Sequence, residues 1–249
     1  METVKSARRV FEFLEYFAMV QRDVSVAELA HHYGSPNSSV SSIMRTMVSM
    51  GYLSYNNKRR TYLPTARLPF LTNWVGSKLF HYDRLRSVME QLSEETGETI
   101  MAAIQNGTRL QYLHVIEATG PIRVQAVAYS FRPLASTAIG QLILSRYDDA
   151  HVGQLIRRIN AEEKDASKQV DLPSLIEKLK RIRSEGYSLS IGGTFPGGGA
   201  IACFLPEMMN GHPLVIAIGS VEYVLTHNTD RLVGLIRASI AQHYALDAP

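Results

Sequence analysis

The chain has 249 residues, 45% of them hydrophobic and 20% charged, with a formal net charge of +3 and a single cysteine. One cysteine excludes an internal disulfide and any zinc site built from several thiolates, and no apolar run approaches the length of a membrane span. The basic excess is confined to one end: residues 1–65 hold 8 Lys+Arg against 5 Asp+Glu, whereas residues 66–249 hold 18 of each. Attraction to a polyanion requires a basic segment of this kind.

The N-terminal stretch, METVKSARRVFEFLEYF, carries charges through its apolar run. It predicts an amphipathic helix rather than a signal peptide, and a cytoplasmic protein. From Lys5 to about Gln21, the residues Val10, Phe13, Leu14 and Phe17 form the stripe that supports a three-helix core. Arg8 and Arg9 are candidates for a phosphate contact or for a solvated pair. Ser25 is placed to cap a short helix carrying Val26, Leu29 and Ala30, and Tyr33-Gly34 stops it, since glycine takes the left-handed conformation of a C-terminal cap. Pro36 is expected at the first position of the next helix, over 36–50. That helix has two unlike faces. Val40, Ile43, Met44 and Met47 point inward, while Ser38, Ser41, Ser42, Arg45 and Ser49 form a small polar stripe with one cation. A strand over 52–55, a tight turn at Asn56-Asn57, the basic run Lys58-Arg59-Arg60 and a return strand over 61–63 complete a basic hairpin.

This order matches a recognition helix followed by a phosphate-touching wing. The expected contacts to double-stranded DNA are Ser25, Asn37, Ser38, Ser39, Ser41, Ser42 and Arg45, with Lys58, Arg59 and Arg60 on the backbone.

Residues 64–80 carry Pro64 and Pro69 among Phe70, Leu71, Trp74 and Val75, which predicts an interrupted helix that packs on something. An amphipathic helix over 83–96 buries Leu85, Val88, Met89 and Leu92. Strands follow over 99–105, 110–116 and 122–129, the first two joined by a turn at Asn106-Gly107. Helices are expected over about 138–146, 149–159 and 172–184. Apolar strands over 200–205 and 213–221 precede a last helix opened by Thr226 or Asn228, burying Leu232, Leu235, Ile236 and Ile240. The sequence of elements predicts an α+β domain with a mainly antiparallel sheet.

No catalytic constellation is present: the eight histidines form no H-x-x-x-H or H-E-x-x-H pair, and there is no G-x-S-x-G elbow. Cys203 lies in an apolar run, where it acts as a small hydrophobe. Gly192–Gly199 lacks the lysine-serine/threonine pair of a phosphate loop and reads as a loop over a pocket. Neither a catalytic residue nor a metal ligand nor a cofactor is assigned. A hydrolase fused to a DNA-binding domain, and a ligand-independent DNA scaffold, are the competing readings.

Along nearly its whole length the chain resembles the IclR family of bacterial transcription regulators. SSVSSIMRTMVSMGYL (38–53) is similar to the family pattern S-T-V-x-R-L-L-x-T-L-x-x-x-G-x-L, and RPLASTAIGQLIL (132–144) is followed by IRSEGYS (182–188). The resemblance implies a winged helix-turn-helix over 1–65, a linker helix over 66–80 and a GAF-like effector-binding domain over 81–249. It also implies a homodimer or homotetramer on operator DNA, a small-molecule effector and no membrane. The family's usual recognition-helix arginine falls at Ser42, leaving Arg45 as that helix's one cation. In the effector domain an acidic position falls at Ser190, a cysteine at Ala200, and paired serines at Ala217 and Gly219. The expected pocket is therefore roomier and less polar than one built for a small keto acid. Its predicted walls are Ser136, Thr137, Ala138, Ile139 and Gly140 at a helix start that cradles an anion, with Ser190, Ala200, Ala217 and Gly219. Tyr112, Tyr129 and Phe131 supply an aromatic wall.

Overall fold

Apolar residues at helical spacing build the first layer of the computed structural model, which describes residues 4–76, 82–193, 196–209 and 211–244, with side chains from 72 to 76 and at 82 left out. Helix α1 (Lys5–Val20) buries Phe13, Tyr16 and Phe17 against Leu29 of α2 (Val26–His32) and Val40, Met44 and Met47 of α3 (Asn37–Ser49). Ser25 caps α2 by accepting the Glu28 N–H at 3.2 Å. Gly34 ends the turn with φ +58. Pro36 lies just outside α3, one residue earlier than its expected helical position, with an extended ψ of 136.

A small antiparallel sheet follows, in which β3 (Thr61–Pro64) lies between β1 (Val24–Ser25) and β2 (Leu53–Asn56). Asn56 pairs with Thr61, so the expected Asn56-Asn57 turn is instead a four-residue loop from Asn57 to Arg60. The Asn56 side chain accepts the Lys58 and Arg59 N–H groups, and Arg60 takes φ +55, which closes that loop. Helix α4 (Arg67–Gly76) then runs straight through Pro69. The interruption expected there does not occur, because proline in the first helical turn removes an N–H that has no partner in any case.

The chain divides into two compact units at residue 80. In the second, α5 (Tyr82–Thr96) precedes a six-stranded sheet ordered β6-β5-β4-β9-β8-β7. Its strands are β4 (Thr99–Asn106), β5 (Arg109–Ile116), β6 (Phe131–Pro133), β7 (Ser188–Ile191), β8 (Gly198–Met209) and β9 (His212–Val221), and every pair is antiparallel. Side chains alternate along β4, so each face of the sheet feeds its own core. Met101 and Ala103 join α6 (Ala138–Leu144), α7 (Asp149–Glu162) and α8 (Leu172–Glu185). Ile100, Ala102 and Ile104 join α5, α9 (Glu222–His227) and α10 (Thr229–Tyr244).

The strand expected over 122–129 does not form. Val124 and Ala126 are buried between exposed Arg123, Gln125 and Val127, which imitates a strand's alternation, but Ile122 is exposed and breaks it. No ladder supports the segment. Its backbone is held by the Thr99 hydroxyl, which donates to the Val124 carbonyl at 2.7 Å and accepts the Ala118 N–H at 3.1 Å. Tyr129, at φ +64, turns the chain into β6 instead.

Candidate nucleic-acid interface and effector cavity

Helix α3 presents the face that its spacing predicts. Asn37, Ser38, Ser39, Ser42 and Arg45 are exposed and Ser41 is half-buried. Ser38, Ser41, Ser42, Arg45, Thr46 and Ser49 line one shallow concavity. Within it the Thr46 hydroxyl donates back to the Ser42 carbonyl at 3.0 Å and Ser49 to the Thr46 carbonyl at 2.8 Å, so these two serve the helix itself. Arg45 is exposed and makes no ion pair among the described residues, though its charge is felt by Tyr62. Ser25 differs: its hydroxyl is committed to the α2 cap.

Lys58, Arg59 and Arg60 are exposed at the hairpin tip. Arg59 lies 4.0 Å from Asp23, whose carboxylate also accepts the Thr61 hydroxyl at 2.7 Å. Arg8 and Arg9 both bridge to Glu12, at 2.6 and 2.8 Å, so they brace α1 rather than project as free cations. Between α1 and α2, Tyr16 donates to Glu28 at 2.8 Å. Arg22 beside Glu28 holds that carboxyl below the usual carboxylate range.

In the second unit a cavity of about 40 Å³ lies between the sheet and the start of α6. Of the expected walls, Tyr112, Thr137, Ala138, Ile139, Ser190 and Ala200 line it. The others do not. Gly140 is packing: a Cβ there would overlap the Leu134 carbonyl. Ala217 is fully buried in the core under α6. The space beside Gly219 is filled by Met101 and Val124, whose atoms would lie 2.7 and 3.3 Å from an added Cβ. Tyr129 and Phe131 are exposed. The expectation of a roomier pocket is thus overturned, because small side chains on one strand are matched by large ones on its neighbours.

Sequence reading missed Met101, Val124, Gln125 and Arg132. Arg132 carried a signal, as the cation that opens RPLAST. The expected anion cradle at the helix start is partly used up, since Thr137 caps α6 by accepting the Gly140 N–H at 3.1 Å. Ser136 acts as a strap: it donates to the Gly193 carbonyl at 3.0 Å, and its own carbonyl accepts Ser190 at 2.9 Å. Burial pushes the Cys203 thiol up to about 11, so it is not a thiolate at neutral pH. No group of acidic, histidine or cysteine side chains suited to a metal occurs among the described residues. Nor is any helix among them long and apolar enough to cross a membrane.

Comparison with known proteins agrees with both halves. Residues 6–57 match the IclR helix-turn-helix domain and residues 81–243 the bacterial transcriptional regulator IclR C-terminal domain. The regulator KdgR of Dickeya chrysanthemi is 27% identical over 190 residues, 75% of this chain and 61% of its own length. The transcriptional repressor IclR of Escherichia coli K12 is 25% identical over 191 residues, 74% of this chain and 68% of its own. An IclR homologue from Microbacterium hydrocarbonoxydans, solved with 4-hydroxybenzoate, shares the fold at 16% identity with a TM-score of 0.69, over 96% of this chain and 98% of that one. These likenesses are to transcription regulators and not to enzymes. The chain belongs to the IclR family of DNA-binding transcription regulators.

Proposed function

We propose that this regulator represses a catabolic operon by docking the exposed face of α3 in the major groove of its operator, and that a small organic effector loosens or tightens that grip. The observation that carries the reading is the α3 stripe of Ser38, Ser42 and Arg45, exposed and flanked by a basic turn. Short hydroxyls allow close approach to base edges and Arg45 supplies a bidentate donor for guanine. Lys58, Arg59 and Arg60 take phosphates, which fix position without reading sequence. One recognition helix offers few base contacts, so the working species is a homodimer or homotetramer on paired half-sites. Exposed Phe70 and Leu71 of α4 are the described contributors to that contact; the side chain of Trp74 lies outside the described residues.

The repressor direction is supported by the relative named a repressor. Effector binding is supported by the 4-hydroxybenzoate complex of the homologue, and we assign the effector an aromatic or apolar body. The cytoplasm is its proposed compartment. Titrating the full chain against duplexes enriched from a random pool, with and without aromatic acids, tests the reading. Sequence-selective binding that the acids alter is expected. Equal affinity for all duplexes and indifference to the acids would favour a ligand-independent scaffold instead.

A further inference from the structure

The 40 Å³ cavity holds at most a few waters. Its hydroxyls are already engaged, Thr137 with the Pro133 carbonyl and Ser190 with the Ser136 carbonyl. Alone it suits no aromatic ligand. Beside it runs an open groove of about 660 Å³, within the range of ligand sites, walled by Pro133, Leu134, Ile159 and Val170. Cavity and groove share two residues, Arg132 and Gly193. A Cβ on Gly193 would overlap the Ser136 carbonyl, so the loop packs closely on Ser136 where cavity and groove meet, and Arg132 lies at that neck.

The charges at this neck are unbalanced. The Arg132 guanidinium lies 5.5 Å from the centroid of the Tyr112 ring, and one of its nitrogens donates to the Phe131 carbonyl at 3.0 Å. No acid pairs with it among the described residues. The carboxylates along the groove are occupied: Glu162 accepts from Thr108 at 3.1 Å and Glu163 from the Asp165 N–H at 2.9 Å. Lys168 is bridged to Asp165 at 3.2 Å. A guanidinium that rests against Tyr112, in reach of its hydroxyl, and is paired with no carboxylate is suited to charge-assisted capture of an incoming one.

We propose that cavity and groove form one effector site in which Arg132 determines specificity, holding the carboxylate of an elongated organic anion at the neck while its apolar body lies along Pro133, Leu134, Ile159 and Val170. This rests on the effector reading above and adds the ligand's charge and shape. The test uses the full chain, isothermal titration, and four probes: 3-phenylpropionate, 5-phenylpentanoate and their primary amides. The wild type binds the acids, the longer more tightly. Arg132→Gln weakens both acids about tenfold or more, the loss of a charge-assisted pair, and leaves amide binding unchanged. Arg132→Lys recovers part of the loss, which separates charge from folding. Val170→Phe narrows the groove and weakens 5-phenylpentanoate but not 3-phenylpropionate. Acids that bind Arg132→Gln as well as wild type overturn the assignment of Arg132, and a longer acid indifferent to Val170→Phe overturns the groove. A wild-type chain that binds none of the four overturns the effector reading together with the inference.

Discussion

The two units keep their candidate site residues in contrasting surroundings. In residues 4–76 they face outward: Ser38, Ser42, Arg45 and the Lys58–Arg60 tip are exposed, and the apolar side chains beneath them serve only to hold α3 in place. In residues 82–244 the candidate site lies between a sheet and α6, where four of its walls, Met101, Tyr112, Ala138 and Ile139, are also core residues. An exposed reader tolerates substitution in its fold and fails in its function. An enclosed one fails in both together.

The largest effect that would sharpen this contrast is expected from Gly140→Ala. All seven residues of α6 are buried, and the new methyl would overlap the Leu134 carbonyl, so the helix must shift from the segment that leads into it. A loss of at least about 1–3 kcal/mol is expected for the second unit, read as a lowered denaturant midpoint by circular dichroism. A variant as stable as the parent would show that α6 is not packed as described.

Ala217→Leu comes next. Filling a pocket would leave stability intact, but Ala217 is 0% exposed in the core under α6. Overpacking of about 1–3 kcal/mol is therefore expected, again in chemical denaturation. Unchanged stability with abolished ligand response would restore Ala217 as a pocket wall.

For the outward-facing unit, replacing Lys58, Arg59 and Arg60 by alanine should leave the melting curve in place and weaken random and specific DNA alike. The salt dependence of binding should flatten by about one slope unit per lost contact. Arg59 should contribute least, because Asp23 at 4.0 Å already competes for it. Loss confined to the specific duplex would mean that the turn reads bases.

Gly34→Ala should cost least, about 1 kcal/mol, because its φ of +58 disfavours a side chain while nothing lies within 4 Å of an added Cβ. Thermal denaturation of the full chain checks this, and a loss of several kcal/mol would point to an undescribed contact.

The same contrast explains what the sequence made legible. The α3 stripe was visible because period and polarity coincide on a solvent-facing helix, and Ser25 and Gly34 announced the ends of α2 by their chemistry. The apolar run over 122–129 has a strand's composition, but in the fold it is a loop that buries only Val124, Ala126 and part of Ala128 and joins no ladder. Inside the second unit, Ala217 and Gly219 read as openings, since a sequence shows which side chain is missing but not that Met101 and Val124 fill its place. Arg132 stands in the sequence as the opening of RPLAST, and its want of an acidic partner is a fact of three dimensions.

The central claim is that α3 reads sequence through Arg45. The most direct test measures, in one buffer, the affinities of wild type and Arg45→Ala for a selected duplex and for a scrambled one. The wild type should prefer the selected duplex by about 10³-fold or more. Arg45→Ala should lose about tenfold or more on that duplex, the worth of a bidentate base contact, with scrambled binding little changed. An Arg45→Ala variant that keeps the full preference, or that weakens both duplexes equally, would contradict the account.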